Sequence, residues 1–481
     1  MASDDLCWLP ALELAALIRA RKVSPVEVME AVLARIERVN PVLNCFCTLT
    51  ADDARDNAQA AEVSVMTGEE LGPLHGVPVS VKDLVFTRRV VTTGASRLFA
   101  DHVPEEDAVA VERLKGAGGI ILGKTTTPEF GHKGVTDSPL FGITRNPWNS
   151  ALTPGGSSGG AAVAAATGLG PLALGTDGGG SIRIPASCCG LFGLKPTRAR
   201  NPMGPDAGEG WGSASTAHAV TRTVRDSAAL LDVTSGPDIG DPYWAPPPAR
   251  PFLDEVGRDP GRLRIAVTTT PWNGQVVHAE CAEATMAAAR LCERLGHCVE
   301  EARPEIDAKA HGTATFTVVC ANIRATLETR AAALGRELIV SDVERLTWAR
   351  ATDGHRAHAS DYARSMAVIH RVGRQIARFF TRYDMLLTPT MCQPPRPLGI
   401  LDLMTENEEA YTQAVLECIA FTAVCNSAGS PAMSVPLGWS RDGLPLGVQF
   451  AAPFGDEATL FRLGAQLEAS QPWFDRRPAG A

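Results

Sequence analysis

The stretch 153–197, TPGGSSGGAAVAAATGLGPLALGTDGGGSIRIPASCCGLFGLKPT, constrains the chain more than any other. It sets two serines behind glycine runs: Gly155 and Gly156 precede Ser157, and Gly178, Gly179 and Gly180 precede Ser181. Residues without a Cβ let backbone amides close on a bound anion or oxyanion. Between the two poles, 161–167 reads as an alanine-rich helix, 168–170 as its end and 171–174 as a short buried strand. Turn, helix, turn and strand fold the segment back on itself. Ser181 is therefore expected to return to the neighbourhood of Ser157.

A chain of 481 residues, 45% of them hydrophobic, has material for a large core, and one compact unit over 1–481 is expected. A formal net charge of −9 without a basic cluster gives no electrostatic reason to bind nucleic acid or an anionic membrane. Small molecules are the expected partners; monomer and homodimer both stay open. Asp4 and Asp5 stand where an export signal carries positive charge, and the apolar window 161–174 is too short to span a bilayer. Twelve cysteines without C-x-x-C spacing read as reduced thiols of a cytoplasmic protein.

Ser24-Pro25-Val26-Glu27 has the form of a capping box, opening an amphipathic helix that Pro41 is expected to end. GVPVSVKDL at 76–84 alternates Val77, Val79 and Val81 with Pro78, Ser80 and Lys82, the pattern of a strand delivering Lys82 at its end. Further strands are expected at 43–50, 119–122, 263–268, 298–302, 384–389, 432–436 and 445–451. Helices are expected at 51–67, 107–117, 224–234, 278–295, 312–336, 359–382, 408–425 and 457–469. Loops at 128–152 and 203–218 are rich in Gly, Pro and polar residues, and such loops commonly line a site. The chain divides into a core of about 70–235, a proline-rich linker at 236–263, a helical, substrate-lining insertion over about 305–382 and a return to the sheet over 383–470.

Residues 118–125, GGIILGKT, match the P-loop pattern letter for letter. Yet 120–122 themselves read as a strand, and the helix that should open at Lys124 meets Thr125, Thr126, Thr127 and Pro128. The cluster 155–160 also fits G-x-S-x-G around Ser157 and around Ser158, the form of an α/β-hydrolase nucleophile elbow. That elbow needs a strand before it, where Pro147 and Pro154 stand, and a histidine base. His218, His278, His297, His311, His355, His358 and His370 lie in no motif-like setting. A serine activated by lysine remains: Lys82, neutral through burial, as base, and Ser181 as nucleophile beside the amides of Gly178 to Gly180.

GVPVSVKD, TPGGSSGGAA and GTDGGGSIRIPASCCGLFGLKPT resemble the three signature blocks of the amidase signature family. The likeness continues through RTVRDSAALL at 222–231, DMLLTPT at 384–390 and GSPAMSVPLG at 429–438. The resemblance implies an α/β/α fold, a mixed twisted sheet sandwiched by helices, and a Ser-cisSer-Lys hydrolase needing neither metal nor organic cofactor. Carried over, Ser181 is the acylated nucleophile, Ser157 the middle serine after a cis Gly156–Ser157 peptide, and Lys82 the base. The amides of Gly178, Gly179, Gly180 and Ser181 form the oxyanion hole, and Thr176, Asp177, Arg183 and Ser158 support them. Ala161 stands where the family often has serine.

The region after Thr197 reads RNPMGPDAGEGWG, not the SRYG and SLDQ-like runs of the glutaminase subunit of tRNA-dependent amidotransferases, so a stand-alone hydrolase is favoured over that role. An inert binding protein on the same fold is the non-enzymatic alternative, and the intact triad positions weaken it. Phe130, Phe141, Trp211 and Phe316 are the candidate substrate-lining residues, and no arginine cluster demands a carboxylate. An apolar or aryl amide suits such a pocket, as by an aryl acylamidase, and the same chemistry extends to esters and carbamates, as by a urethanase.

Overall fold

The alternation of short apolar strands with amphipathic helices builds one mixed sheet with helices packed against it. The computed structural model describes residues 3–479. Its strands are β1 (Phe46–Leu49), β2 (Pro78–Lys82), β3 (Ile120–Thr125), β4 (Asp137–Ser138), β5 (Gly142–Ile143), β6 (Leu172–Asp177) and β7 (Phe192–Lys195). Then follow β8 (Thr216–Thr221), β9 (Arg264–Val267), β10 (Cys298–Glu301), β11 (Met385–Pro389), β12 (Ala432–Trp439) and β13 (Pro445–Ala451). Eleven of them form one sheet in the order β1-β3-β2-β6-β8-β7-β12-β13-β11-β9-β10, and β4 pairs with β5 separately. The expected mixed α/β architecture is the one observed.

Two parallel neighbours decide where the polar ends of the strands go. β2 lies between β3 and β6, parallel to both, with Val81 opposite Leu174. Lys82 at the end of β2 and Thr176 and Asp177 at the end of β6 therefore emerge at the same edge, the carboxyl edge where open α/β sheets bind ligands. All five residues of β2 are buried, as in a central parallel strand covered on both sides.

Ser24 caps the helix Pro25–Leu43: its Oγ accepts from Val26 N–H at 2.9 Å, and Glu27 Oε2 accepts from Ser24 N–H at 3.0 Å. The helix does not stop before Pro41. It continues to Leu43 and ends at Asn44, which turns left-handed at φ 53 and donates its N–H to Asn40 O at 2.8 Å. Proline removes one N–H, and the acceptor it abandons belongs to Glu37, an exposed residue, so the loss is not a buried one.

Other departures are tertiary. The strand expected at 119–122 runs on to Thr125. The loop expected at 203–218 gives way at Thr216 to β8, held between β6 and β7. The helix expected at 408–425 is two helices, Glu408–Ile419 and Ala423–Ala428, because Thr422 turns its carbonyl to Arg183. A helix at Arg345–Arg356 was not expected; it packs with Ala308–Ala333, and Ala308–Ala333 packs with Ala359–Phe379. All three lie between β10 and β11.

The helix Gly159–Ala166 is buried at every residue and packs on β6, β8, β2 and β3. Glycine is required at 160: a Cβ there would sit 2.5 Å from Thr126 N and 2.6 Å from Cys45 O, both backbone atoms. Gly312, inside the helix Ala308–Ala333, would meet nothing within 4 Å. Gly160→Ala is expected to destabilise the fold by about 1–3 kcal/mol through overpacking. Gly312→Ala is expected to stabilise it by about 0.5–1 kcal/mol. Urea midpoints check both signs.

Candidate active site

β2 delivers Lys82 into a fully buried place with no carboxylate against it. Its Nζ lies 2.7 Å from Ser157 Oγ, 3.0 Å from Ser158 Oγ and 2.9 Å from Thr176 Oγ1. Burial pushes its pKa down to about 7, against a smaller upward pull from Asp177. A neutral amine has two N–H donors and one lone pair. Three hydroxyl neighbours suit it, because a hydroxyl gives a proton as readily as it accepts one.

The serines reach this amine from the turn before the buried helix. The Gly156–Ser157 peptide is cis. Ser158 N–H donates to Ser181 O at 3.1 Å, which places the backbone of 157–158 against that of Ser181. Ser158 Oγ is buried and donates to Thr176 O at 3.1 Å. It faces no cavity and no histidine: His218 pairs with Ser227 and His311 with Ser427. No strand precedes Ser158, so the nucleophile-elbow geometry is missing.

After β6 the chain turns around Asp177. Its carboxylate accepts from Gly180 N–H at 2.8 Å, Ile182 N–H at 3.1 Å, Arg183 Nε at 3.0 Å and Nη2 at 2.9 Å, and Asn426 Nδ2 at 2.9 Å. Burial alone would raise its pKa. The charge and hydrogen bonds of Arg183, with the bond from Asn426, outweigh burial and hold the carboxyl well below the usual carboxylate range. Arg183, also fully buried, donates on to Gln449 Oε1 at 2.7 Å and to Thr422 O at 3.0 Å. Thr422 Oγ1 in turn donates to Gly179 O at 2.5 Å.

One of the amides expected to hold an oxyanion is otherwise engaged. Gly180 N–H is spent on Asp177, and Gly180 does not line the cavity. Gly178, Gly179 and Ser181 do line it, and among the described residues their N–H groups have no partner. Gly180 is instead required by its φ of +134 and by Thr422 Oγ1, which would lie 2.5 Å from a Cβ there.

Ser181 opens onto a cavity of about 260 Å³ with mostly apolar walls, among them Ile184, Trp211, Trp272, Phe316, Val319 and Leu416. Trp211 stands against the oxyanion turn, and Phe316 is half exposed at the rim. Phe130 and Phe141 take other places. Phe130 packs edge-on to Phe99 at 5.7 Å in a separate apolar cluster, one layer behind His132. Phe141 offers its carbonyl to Asn44 at 2.7 Å and lies off the cavity wall. His132 and Arg350 line the cavity without having been named from the sequence, and His311, weighed there only as a histidine base, lines it too.

The P-loop match has no loop. Lys124 is the penultimate residue of β3, buried, with its Nζ on Val85 O, on Thr87 Oγ1 at 3.0 Å and on Thr92 Oγ1 at 2.9 Å. It pins the segment after Lys82 instead of reaching a phosphate. Among the described residues no helix is long and apolar enough to cross a membrane.

The chain is similar to known proteins along nearly its whole length. A 6-aminohexanoate-cyclic-dimer hydrolase from Paenarthrobacter ureafaciens is 36% identical over 99% of this chain and 98% of its own length. An acylamidase from Rhodococcus erythropolis is 34% identical over 100% of this chain and 99% of its own. The crystal structure of a bacterial aryl acylamidase of the amidase signature family superposes with a TM-score of 0.91 at 29% identity, covering 98% of this chain and 99% of that one. With residues 27–461 matching the Amidase family model, the chain belongs to the amidase signature family, hydrolases of carbon–nitrogen bonds in non-peptide amides.

Proposed function

We propose that this amidase works through an acyl-enzyme on Ser181, with Ser157 as proton relay and Lys82 as base, on apolar or aryl amides. The observation that carries the reading is Lys82: buried, with a pKa near 7 and only hydroxyl partners, 2.7 Å from Ser157 Oγ. A lysine in that state takes a proton at neutral pH.

Ser181 Oγ attacks the carbonyl carbon as its proton passes to Ser157, whose own proton passes to Lys82 Nζ. The oxyanion is held by the free N–H groups of Gly178, Gly179 and Ser181. The C–N bond breaks as Ser157 returns a proton to the leaving nitrogen and is itself reprotonated by Lys82. Water then attacks the Ser181 ester by the same relay and releases the acid. The cavity of about 260 Å³ with its Trp and Phe walls suits a small apolar acyl or anilide group. The names of the relatives point the same way, to acylamides and to a cyclic diamide. Activated esters and carbamates present the same carbonyl and are expected as further substrates. The scattered cysteines, without C-x-x-C spacing, accord with a reducing compartment, the cytoplasm.

A fluorophosphonate is expected to label Ser181 alone, seen by intact mass and peptide mapping, and the adduct should vanish in Lys82→Ala. An adduct on Ser158, or none, would sink the reading. Lys82→Ala is expected to lower kcat/KM for an anilide by about 10²–10⁴ and for the matched ester by much less, since an alkoxide leaves without the proton an amine needs. Equal losses would contradict the relay. Lys82 acts when deprotonated, so kcat/KM should fall roughly tenfold per pH unit below about 7 and level off above it. Asp177→Asn leaves Arg183 a buried unpaired charge and is expected to destabilise the fold by about 3–5 kcal/mol, read from the urea midpoint.

A further inference from the structure

The reaction leaves two polar side chains on the cavity wall unused, Arg350 and His132. Arg350 lines the cavity from the helix Arg345–Arg356. Its guanidinium lies over the Tyr411 ring at 5.0 Å from the centroid, and its buried Nη1 has no hydrogen-bond partner. Among the described residues it forms no ion pair. Beside it His132 also lines the cavity with both ring nitrogens buried and unpartnered. Tyr411 Oη is likewise without a partner.

The neighbouring charges do not cancel that cation. Lys133 is paired with Asp137. Glu344, just before the same helix, has its pKa pushed up to about 8 by burial, so it is mostly protonated at neutral pH. His132 is held neutral by burial first, and then by the charges of Arg350 and Lys133, leaving it one donor and one acceptor. An unpaired guanidinium on a largely apolar wall is unfavourable until an anion meets it. A carboxylate is the best match, because it accepts two parallel N–H bonds from one guanidinium edge.

Contacts tie these groups to the reaction centre. A Cβ on Gly178 would lie 2.8 Å from the Trp211 ring, and the Trp211 and His132 ring centroids are 6.1 Å apart. Trp211 and His132 thus adjoin the oxyanion turn, and Arg350 lines the same cavity. We propose that Arg350, with His132 beside it, is a subsite for a carboxylate on the substrate, so that the preferred amides carry an acid group besides the scissile amide. This rests on the amide-hydrolase reading above; a single arginine, with no arginine cluster, calls for the carboxylate.

The test compares anilides of a dicarboxylic acid series, succinyl to adipoyl, with neutral partners in which an isopropyl group replaces the free carboxylate. For at least one chain length the wild type should favour the acid by about tenfold or more in kcat/KM, the size of one hydrogen bond to a charged group. Arg350→Met should bring that ratio close to one, with the loss mainly in KM, and Arg350→Lys should restore part of it. A wild-type ratio at or below one throughout the series would overturn the subsite. So would a ratio that Arg350→Met leaves unchanged while both rates fall, the signature of a merely structural residue. If the wild type cleaved no anilide, that failure would count against the amide-hydrolase reading. Calorimetry would still decide the subsite: glutarate should bind the wild type about tenfold or more tighter than Arg350→Met, and equal binding would overturn it.

Discussion

The burial of one lysine without a carboxylate sets the terms for the rest of the structure. Removing Lys82 from water lowers its pKa from 10.5 to about 7, a penalty on the charged form on the order of 5 kcal/mol. The fold accepts this only because β2 is enclosed by parallel neighbours on both sides. Asp177, the one acid that pulls on Lys82, has its charge matched by Arg183 at 2.9 Å. Were Asp177 unpaired, its attraction would favour the ammonium and remove the base. The Asp177–Arg183 pair thus shapes the oxyanion turn and also keeps Lys82 close to neutrality.

Three lysines in this region are buried with lowered pKa values, Lys82, Lys124 and Lys195, so burial alone does not single out a base. Their partners differ. Lys195 donates to the carbonyl of Pro196 at 2.7 Å, and Lys124 to that of Val85 besides the hydroxyls of Thr87 and Thr92. A carbonyl only accepts, so it fixes an N–H toward itself and offers nothing to a lone pair. Lys82 meets three hydroxyls, each able to reverse its hydrogen bond as the amine gains or loses a proton. The chemistry follows from which polar atoms surround an equally dry amine.

This explains what the sequence revealed and what it did not. Lys82, Ser157, Ser181, Asp177 and Arg183 lie in contiguous runs whose glycines and strand alternation are local signals, and the parallel register of β2 and β6 brings those runs together. Pro41 misled because a helix tolerates proline where the abandoned carbonyl belongs to an exposed residue. The oxyanion expectation included Gly180 because three glycines look alike in sequence; only the Asp177 carboxylate distinguishes the one whose N–H turns inward. Phe130 and Phe141 sit in loops, where no period tells which way a ring points. Arg350, Asn426 and Thr422 carried no signal, since their roles depend on contacts across long sequence separations, 243 residues for Thr422 with Gly179.

Those long contacts also show why the glycine-serine segment is no autonomous module. Asn426 donates to Asp177 O at 3.0 Å and to Ala214 O at 3.1 Å, and Arg183 donates to Asn426 Oδ1 at 2.6 Å. One side chain from the C-terminal part of the chain therefore holds the oxyanion turn and the loop that carries Trp211. Gln449 on β13 completes the set by accepting from Arg183 and donating to Phe421 O at 3.1 Å. Each of these polar groups is buried and satisfied only when the others are in place, so the network is satisfied as a unit. The amides of Gly178, Gly179 and Ser181 lie in a turn whose Asp177 carboxylate and whose carbonyls at 177, 179 and 181 are engaged. On the mechanism proposed above, donors held in this way meet a developing oxyanion without reorganising.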